Sequence, residues 1–86
     1  MKSTAIVPGQ LVIYDPGHTC EIGKVKRLNP NKIGTAFVWY HMGDTAACTD
    51  VRDLYPIDER FARKHKDLFK NAYALEDIIN KKEEDH

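Results

Sequence analysis

The residues of this chain best suited to chemistry are two histidines and two cysteines: His18, Cys20, His41 and Cys48. Two imidazoles and two thiolates are the right number of ligands for a tetrahedral zinc ion. Their spacing does not favour one, because His-x-Cys and His-x6-Cys differ from the Cys-x2-4-Cys and His-x3-5-His pairs whose side chains converge on zinc. The sequence therefore predicts no metal site and no cofactor.

His41 and Cys48 are also the residue types of a catalytic base and its nucleophile. Such a pair needs a third group to orient the base, and donors to stabilise a developing oxyanion. No pattern in the chain supplies either, and no glycine-rich loop suited to phosphate is present. Cys48, within Thr-Ala-Ala-Cys-Thr, is instead expected to fill the core as a small apolar residue. We therefore expect no enzymatic activity.

Basic residues offer a different chemistry, the binding of phosphate groups. The β-prone segment 21–28 carries Lys24, Lys26 and Arg27, and Lys32 follows in the next turn. Such a face could contact a nucleic-acid backbone while a nearby aromatic ring stacks on bases. Residues 1–57 nevertheless contain six basic and five acidic residues, a net charge of only +1. Nucleic-acid binding is therefore the alternative interpretation rather than the leading one.

A second concentration of positive charge lies near the C-terminus. From Arg60 to Lys70 there are five basic residues and one acidic residue, whereas residues 83–85 are all acidic. The whole chain has 13 basic and 13 acidic residues, which excludes a general attraction to nucleic acid or acidic lipid. This dipolar segment is typical of the solvated face of a helix.

Short elements must position these residues, because 86 residues make only one small domain. Turn residues separate five β-prone runs, which are 10–14, 21–28, 35–41, 45–49 and 54–57. A single helical turn is expected over 50–53. Five short strands with tight turns predict a mainly β fold, a closed antiparallel barrel. The second strand is expected at a partly exposed edge, and Pro56 places the fifth near an edge too.

From Asp58 onward the apolar residues follow the period of a helix, and Asp58 is the expected N-cap. The apolar face comprises Phe61, Leu68, Ala72, Leu75 and Ile79, with Phe69 and Ile78 beside it. Asn71 is a point where this helix could break in two. The chain therefore divides into a barrel, 1–57, and a C-terminal helical extension, 58–86, that ends in a frayed acidic tail.

Both faces of the predicted strands are apolar. Alternation places Val12, Tyr14, Ala36, Val38 and Tyr40 on one side, and Leu11, Ile13, Phe37, Trp39 and His41 on the other. A small barrel has a single interior, so the second side needs a cover. The amphipathic C-terminal segment is expected to dock there, because it cannot persist alone as a helix in water. A dimer or partner interface is the alternative.

Two runs of the chain resemble Tudor-type and KOW-type SH3-like barrels. Residues 38–46 and 53–57 are similar to the strand, Gly-x-Thr turn, strand and closing Asp-Leu-x-Pro element of Tudor-type barrels. Gly9-Gln10-Leu11-Val12, Gly17 and Gly23-Lys24-Val25 are similar to a KOW-type element. The chain as a whole resembles short SH3-like proteins of phages and other mobile elements of Gram-positive bacteria. The resemblance covers residues 8–57 and implies a five-stranded SH3-like barrel.

Some Tudor-type domains bind methylated lysine or arginine in an aromatic cage, in which rings attract the cation. The rings available for such a cage are Tyr14, Trp39, Tyr40 and Tyr55. The expected position of Tyr14 and Tyr40 on the core side argues against it.

Together these features predict a non-enzymatic protein-interaction module or accessory factor, phage-encoded and acting on a host protein. Its partner surface is expected to combine Phe37, Trp39 and His41 with Arg60, Arg63 and Lys64 of the helix. The alternative is a KOW-like nucleic-acid-binding protein that uses Lys24, Lys26, Arg27 and Lys32. Without an apolar run of membrane-spanning length or a signal-peptide core, we expect a cytoplasmic protein with reduced cysteines and no membrane partner. The sequence leaves open whether it is a monomer or a homodimer.

Overall fold

The structure is a computed structural model that describes residues 6–41, 43 and 45–82. Its strands are β1 (Leu11–Tyr14), β2 (Glu21–Leu28), β3 (Thr35–Trp39), β4 (Ala46–Asp50) and β5 (Leu54–Ile57). Its α-helices are α1 (Glu59–Lys64) and α2 (Leu75–Asn80), and single 3-10 turns span Val51–Asp53, Lys66–Leu68 and Ala72–Ala74. The five predicted strands are confirmed to within two residues at each end. The predicted acidic tail, 83–86, lies outside the described residues.

All five strands form one antiparallel sheet in the order β4-β3-β2-β1-β5, which confirms the mainly β prediction. β2 is the central strand, so the expectation that it lies at an exposed edge is wrong. The edges are β4 and β5. Pro56 lies on β5, as predicted, because a residue without a backbone N–H is tolerated at an edge.

The sheet is strongly curled. β4 and β5 lie at its two ends, yet only Val51–Asp53 separates them along the chain. A flat sheet would hold these strands about 19 Å apart, at about 4.8 Å per neighbouring pair. The chain from Asp50 to Leu54 spans at most about 14 Å even when fully extended. The sheet must therefore bend back on itself. The predicted closure into a barrel is not observed, because no ladder joins β4 to β5 within the described residues.

The inner face of the curled sheet holds one of two apolar cores. Its buried residues are Val12, Val25, Ala36, Val38, Tyr40 and Leu54, and Ile6, Tyr14 and Val51 pack against them. All of these side chains come from the strands and the segments that adjoin them. The alternation predicted for β1 and β3 is thereby confirmed for this face.

The second core lies between the outer face of the sheet and the C-terminal segment. Its buried residues are Leu11, Ile22, Ala62, Phe69, Ala74, Leu75 and Ile78. Partly buried residues packed around it include Ile13, Cys20 and Ile57. The C-terminal segment therefore covers the surplus apolar surface of β1 and β2, where an isolated helix would have nothing to bury its apolar side chains against.

The C-terminal segment is not one continuous helix. Asp58 caps α1 as predicted, since its carboxylate accepts a hydrogen bond of 2.7 Å from the Phe61 N–H. Because α1 ends at Lys64 and two 3-10 turns precede α2, the period that begins at Phe61 does not continue. Phe61 and Leu68 are consequently exposed, contrary to the prediction, while Ala62 is buried in their place.

Asn71 joins the interrupted segment to the sheet. Its side-chain amide donates to the carbonyls of Ile22 and Tyr40, both at 2.9 Å, and its oxygen accepts from the Ile22 N–H at 2.8 Å. Asn71 is only 6% exposed, so these groups have little access to water. The residue predicted as a helix break therefore also serves as the polar attachment between the C-terminal segment and the sheet.

The buried phenol of Tyr40 should make the free energy of unfolding fall at alkaline pH. Its hydroxyl shares a hydrogen bond of 2.9 Å with Thr49 Oγ1, and burial raises the pKa of Tyr40 well above its ordinary value. Tyrosine in the unfolded chain ionises near about pH 10, so above this pH the unfolded state binds fewer protons and the free energy of unfolding falls. We expect Tyr40→Phe to lower stability by about 1 kcal/mol at neutral pH and to reduce the alkaline loss.

Urea unfolding of both proteins at about pH 7 and about pH 11 measures this effect. Tyr55→Phe is the matched control, because Tyr55 is 52% exposed. The same loss of stability at alkaline pH in the wild type and in Tyr40→Phe would contradict the prediction.

Candidate interaction surface

The basic residues of β2 do not form one open row for phosphate. Lys24 is directed toward the end of α2, where its ammonium donates to the carbonyls of Ile79, at 3.1 Å, and Lys81. The last carbonyls of a helix carry partial negative charge, so a cation there stabilises the helix. Lys24, predicted to face outward and bind nucleic acid, is thus engaged within the molecule.

Trp39 is covered rather than open to a partner. The side chain is 4% exposed, and the ammonium groups of Lys26 and Lys81 lie 5.8 and 5.6 Å from its ring centroid. Lys81 also contacts Asp77 at 3.1 Å and donates to the Gly43 carbonyl at 2.7 Å. The prediction of Trp39 as a partner-facing anchor therefore needs correction, because the ring supports the end of the C-terminal segment.

The remainder of the outer face, over β3 and β4, stays open. Phe37 is half-buried, with the Arg27 guanidinium 4.8 Å from its ring centroid, and Lys32 is exposed in the following turn. Cys48 lies opposite Phe37 and is exposed. The prediction that Cys48 fills the core is wrong, because alternation along β4 turns Thr49 inward instead.

The rings considered for a methyl-lysine cage lie on different sides of the sheet. Tyr14 and Tyr40 contact each other in the inner core, with ring centroids 5.5 Å apart, whereas Trp39 belongs to the outer face. They do not form a cage. Among residues 6–41, 43 and 45–82, no three His, Cys, Asp or Glu side chains are grouped so as to hold a metal ion.

The C-terminal segment presents a site that the sequence did not reveal, centred on Tyr73. This side chain is 75% exposed and lines two cavities of about 220 and 180 Å³. The larger cavity is also lined by His41, Lys70 and Glu21, and the smaller by Arg63, Lys66 and Glu76. We call Tyr73, His41, Arg63, Lys66 and Lys70 the Tyr73 surface. The sequence did contain one indication of this site. Tyr73 is not part of the apolar face of the predicted helix, which includes its neighbour Ala72, so its side chain is expected to be exposed.

The Tyr73 surface has three basic side chains, and the carboxylates of Glu21 and Glu76 line the same two cavities. Arg63 is paired with Glu76 and, at 3.0 Å, with Glu59, and these carboxylates raise the pKa of its guanidinium. Lys66 and Lys70 are exposed and have no carboxylate partner in the part of the chain that the structure describes. An exposed ring among free cations can pack on an apolar group while the cations bind an anion.

The six residues predicted to bind a partner do not form a single surface. His41 and Arg63 line the Tyr73 surface. Arg60 and Lys64 lie one turn apart on the exposed side of α1, opposite the buried Ala62. Phe37 lies apart from them on the open outer face, and Trp39 is buried. The structure therefore distributes the predicted surface over three solvent-accessible locations and one buried position.

A separate apolar cavity of about 310 Å³ lies at the turn between β2 and β3. It is lined mainly by Ile6, Leu28, Ile33 and Val51. Ile33, at its rim, is 96% exposed. Exposed apolar side chains grouped at a cavity are typical of interaction sites.

Comparison with known proteins assigns neither a family nor a function. No family model, curated protein or solved structure matches the chain significantly. None of the helices in the described residues combines the length and the apolar character needed to cross a membrane. The functional conclusion therefore depends on the surface chemistry of the molecule.

Proposed function

We propose that this protein is a non-enzymatic interaction domain that binds an acidic segment of a partner protein through the Tyr73 surface. The observation that carries the proposal is Tyr73, 75% exposed between two cavities whose rims bear Lys66 and Lys70. Tyrosine with basic neighbours is the type of residue that supplies much of the binding energy of protein interfaces. The partner segment would carry carboxylates beside an apolar or aromatic side chain.

The fold we propose for this domain is an SH3-like barrel of the Tudor or KOW type. Three features support it: the strand order β4-β3-β2-β1-β5, the curl of the sheet, and the 3-10 turn that joins β4 to β5. Two free cysteines, Cys20 and Cys48, support a cytoplasmic location, because thiols persist in reducing compartments.

A protein partner is favoured over nucleic acid because the surface offers exposed apolar groups beside a small number of available cations. The chain is neutral overall, Lys24 is bound to helix carbonyls, and Arg63 is neutralised by two carboxylates. Exposed Leu68 adds apolar area in the same segment, which a phosphate backbone would not use. Apolar and acidic groups together fit this surface better than a polyanion does.

Nucleic-acid binding by the outer face is the second candidate. It is supported by Arg27 over the half-buried ring of Phe37, with Lys26 and Lys32 nearby in sequence. Such binding would weaken steeply as salt rises, because each phosphate contact releases counterions. It would also be insensitive to substitutions at Tyr73.

The test is fluorescence anisotropy with a labelled peptide of alternating glutamate and phenylalanine and, separately, a labelled single-stranded oligonucleotide. We expect Tyr73→Ala to weaken peptide binding about tenfold or more, which corresponds to the loss of an interface anchor. The double variant Lys66→Glu/Lys70→Glu should weaken it similarly, because it reverses the charge.

Tyr55→Ala is the matched control, since Tyr55 is also an exposed tyrosine but lies on β5. Equal losses in Tyr73→Ala and Tyr55→Ala would overturn the proposal, as would absence of peptide binding up to about 1 mM. Oligonucleotide binding that is lost on substitution of Arg27, together with absence of peptide binding, would establish the second candidate instead.

A further inference from the structure

β4 is an edge strand of the sheet that the described residues form. It pairs with β3 on one side, and no other strand of the described residues pairs with it. The unpaired N–H and C=O groups of an edge strand are a template for pairing with another strand. The hydrogen bonds made by β3 show which N–H and C=O groups of β4 face away from the sheet.

Two hydrogen bonds define the direction of the backbone groups along β3. The Asn29 N–H, after β2, donates to the Thr35 carbonyl at 3.1 Å, so Thr35 is directed toward β2. The Val51 N–H, after β4, donates to the Gly34 carbonyl at 2.9 Å, so Gly34 is directed toward β4. Because these directions alternate along a strand, every second residue from Thr35 bonds to β2 and the residues between them bond to β4.

The pairing of β3 with β4 shows which residues of β4 bond to β3. Thr49 lies opposite Ala36, and Ala47 lies opposite Val38, so Thr49 and Ala47 bond to β3. Ala46 and Cys48 therefore direct their N–H and C=O groups to the open edge, and Asp50 directs its N–H there. The Asp50 carbonyl begins the 3-10 turn Val51–Asp53.

The side chains of β4 do not oppose pairing with another strand. Ala46–Thr49 are small and uncharged, and the strand has neither the lysine nor the proline that commonly protects an edge. Asp50 is the only charged residue of the strand, and its carboxylate Oδ2 lies 4.0 Å from Nε of Arg52. β5, by contrast, carries Pro56.

We propose that β4 pairs antiparallel with β4 of a second copy of this chain, forming a two-fold symmetric dimer centred on Cys48. The two-fold axis would place Cys48 opposite its copy, Ala47 opposite Thr49, and Ala46 opposite Asp50. No like charges meet in this register. In this arrangement the outward N–H of each Cys48 donates to the carbonyl of the other. The hydrogen-bond donors and acceptors of two identical strands therefore match each other.

The outer face of the sheet favours the same arrangement. Arg27 lies opposite Phe37 on one side, and Cys48 lies opposite Phe37 on the other. Arg27, Phe37 and Cys48 thus lie side by side on three neighbouring strands. Pairing about Cys48 would extend this row with side chains of the second copy, near the half-buried ring of Phe37. This interface uses no residue of the Tyr73 surface, so it is independent of the proposed function.

The primary test is sedimentation equilibrium of the full chain under reducing conditions. We expect the wild type to sediment as a dimer of the 9.9 kDa chain at micromolar concentrations, and Cys48→Lys as a monomer, because it would place two ammonium groups directly opposite each other. Thr45→Lys is the matched control, since Thr45 is exposed and precedes β4, and it should remain dimeric. Circular dichroism should show the same fold in all three proteins.

Oxidation by diamide supplies a second readout. Hydrogen-bonded antiparallel residues lie about 5.5 Å apart at Cα, within the range of a disulfide. Two Cys48 thiols would lose their protons and two electrons to diamide, which becomes the hydrazine, and an intermolecular disulfide would form. Cys20→Ser should cross-link like the wild type, whereas Cys48→Ser should not. Burial, together with the negative charges of Asp15 and Glu21, raises the pKa of the Cys20 thiol and therefore slows its reaction.

Two results would overturn the proposal. One is a wild type that stays monomeric up to about 1 mM, a concentration at which only very weak association escapes detection. The other is a dimer that persists in Cys48→Lys and forms no Cys48 disulfide in the wild type.

Discussion

Replacing Asn71 by leucine should destabilise the protein by about 3 kcal/mol or more, because it leaves three buried backbone groups without a partner. These groups are the N–H and carbonyl of Ile22 and the carbonyl of Tyr40. A chain of this length has a total stability of only about 4 to 13 kcal/mol. The midpoint of urea unfolding should therefore fall sharply, and the C-terminal segment should lose its attachment to the sheet.

Asn71→Asp separates hydrogen bonding from side-chain shape. Aspartate can still accept from the Ile22 N–H, but its carboxylate cannot donate to the carbonyls of Ile22 and Tyr40 and would face both oxygens. Its pKa in the folded state would therefore rise, so the folded state binds the proton more tightly. The stability lost at neutral pH should be partly recovered as the pH falls from this raised pKa toward about 4, the pKa in the unfolded chain, because protonation restores a donor.

Asn80 is the matched control for both variants, since it is an exposed asparagine at the end of α2. Asn80→Leu and Asn80→Asp should change stability by no more than about 0.5 kcal/mol. If Asn71→Leu unfolded at the same urea concentration as Asn80→Leu, the amide would not be the attachment we infer.

Gly23→Ala should also be strongly destabilising, by about 2 to 3 kcal/mol, although it adds a single methyl group. A Cβ atom at this position would lie 2.6 Å from Cγ1 of Val38 and 2.9 Å from Cε1 of Tyr40. Both neighbours are buried in the inner core, where closely packed side chains cannot move aside without shifting the strands. Urea or thermal unfolding of the variant measures this effect.

Gly43→Ala is the matched control, because a Cβ atom there would meet no atom within 4 Å. It should leave stability nearly unchanged or raise it slightly by reducing the entropy of the unfolded chain. Equal stability of the two alanine variants would mean that β2 and β3 are not as closely packed at Gly23 as the structure indicates.

Features that depend on neighbouring residues could be predicted from the sequence. The alternation of Val12 with Leu11 and Ile13, and of Val38 with Phe37, predicts two apolar faces because successive side chains of a strand point to opposite sides. Asp58 was predictable as a helix cap, because the cap depends on a hydrogen bond to a backbone group only three residues away.

The candidate site could be predicted only in part. His41 and Arg63 were assigned correctly to exposed positions, but Trp39 and Lys24 were not. Nothing local to Lys24 shows that the carbonyl of Ile79, 55 residues away, occupies its ammonium. The position of β2 at the centre of the sheet is likewise a property of strand pairing rather than of its own residues.

Local patterns are sufficient to predict where this chain forms strands, where the helical period begins and that both strand faces are apolar, because these depend on covalent geometry and local solvation. The attachment of the two layers by Asn71, the burial of Trp39 and the exposure of Tyr73 follow instead from contacts between distant segments. A buried polar side chain needs hydrogen-bond partners, and these need not be near it in sequence. For Asn71 those groups lie 49 and 31 residues away, at Ile22 and Tyr40.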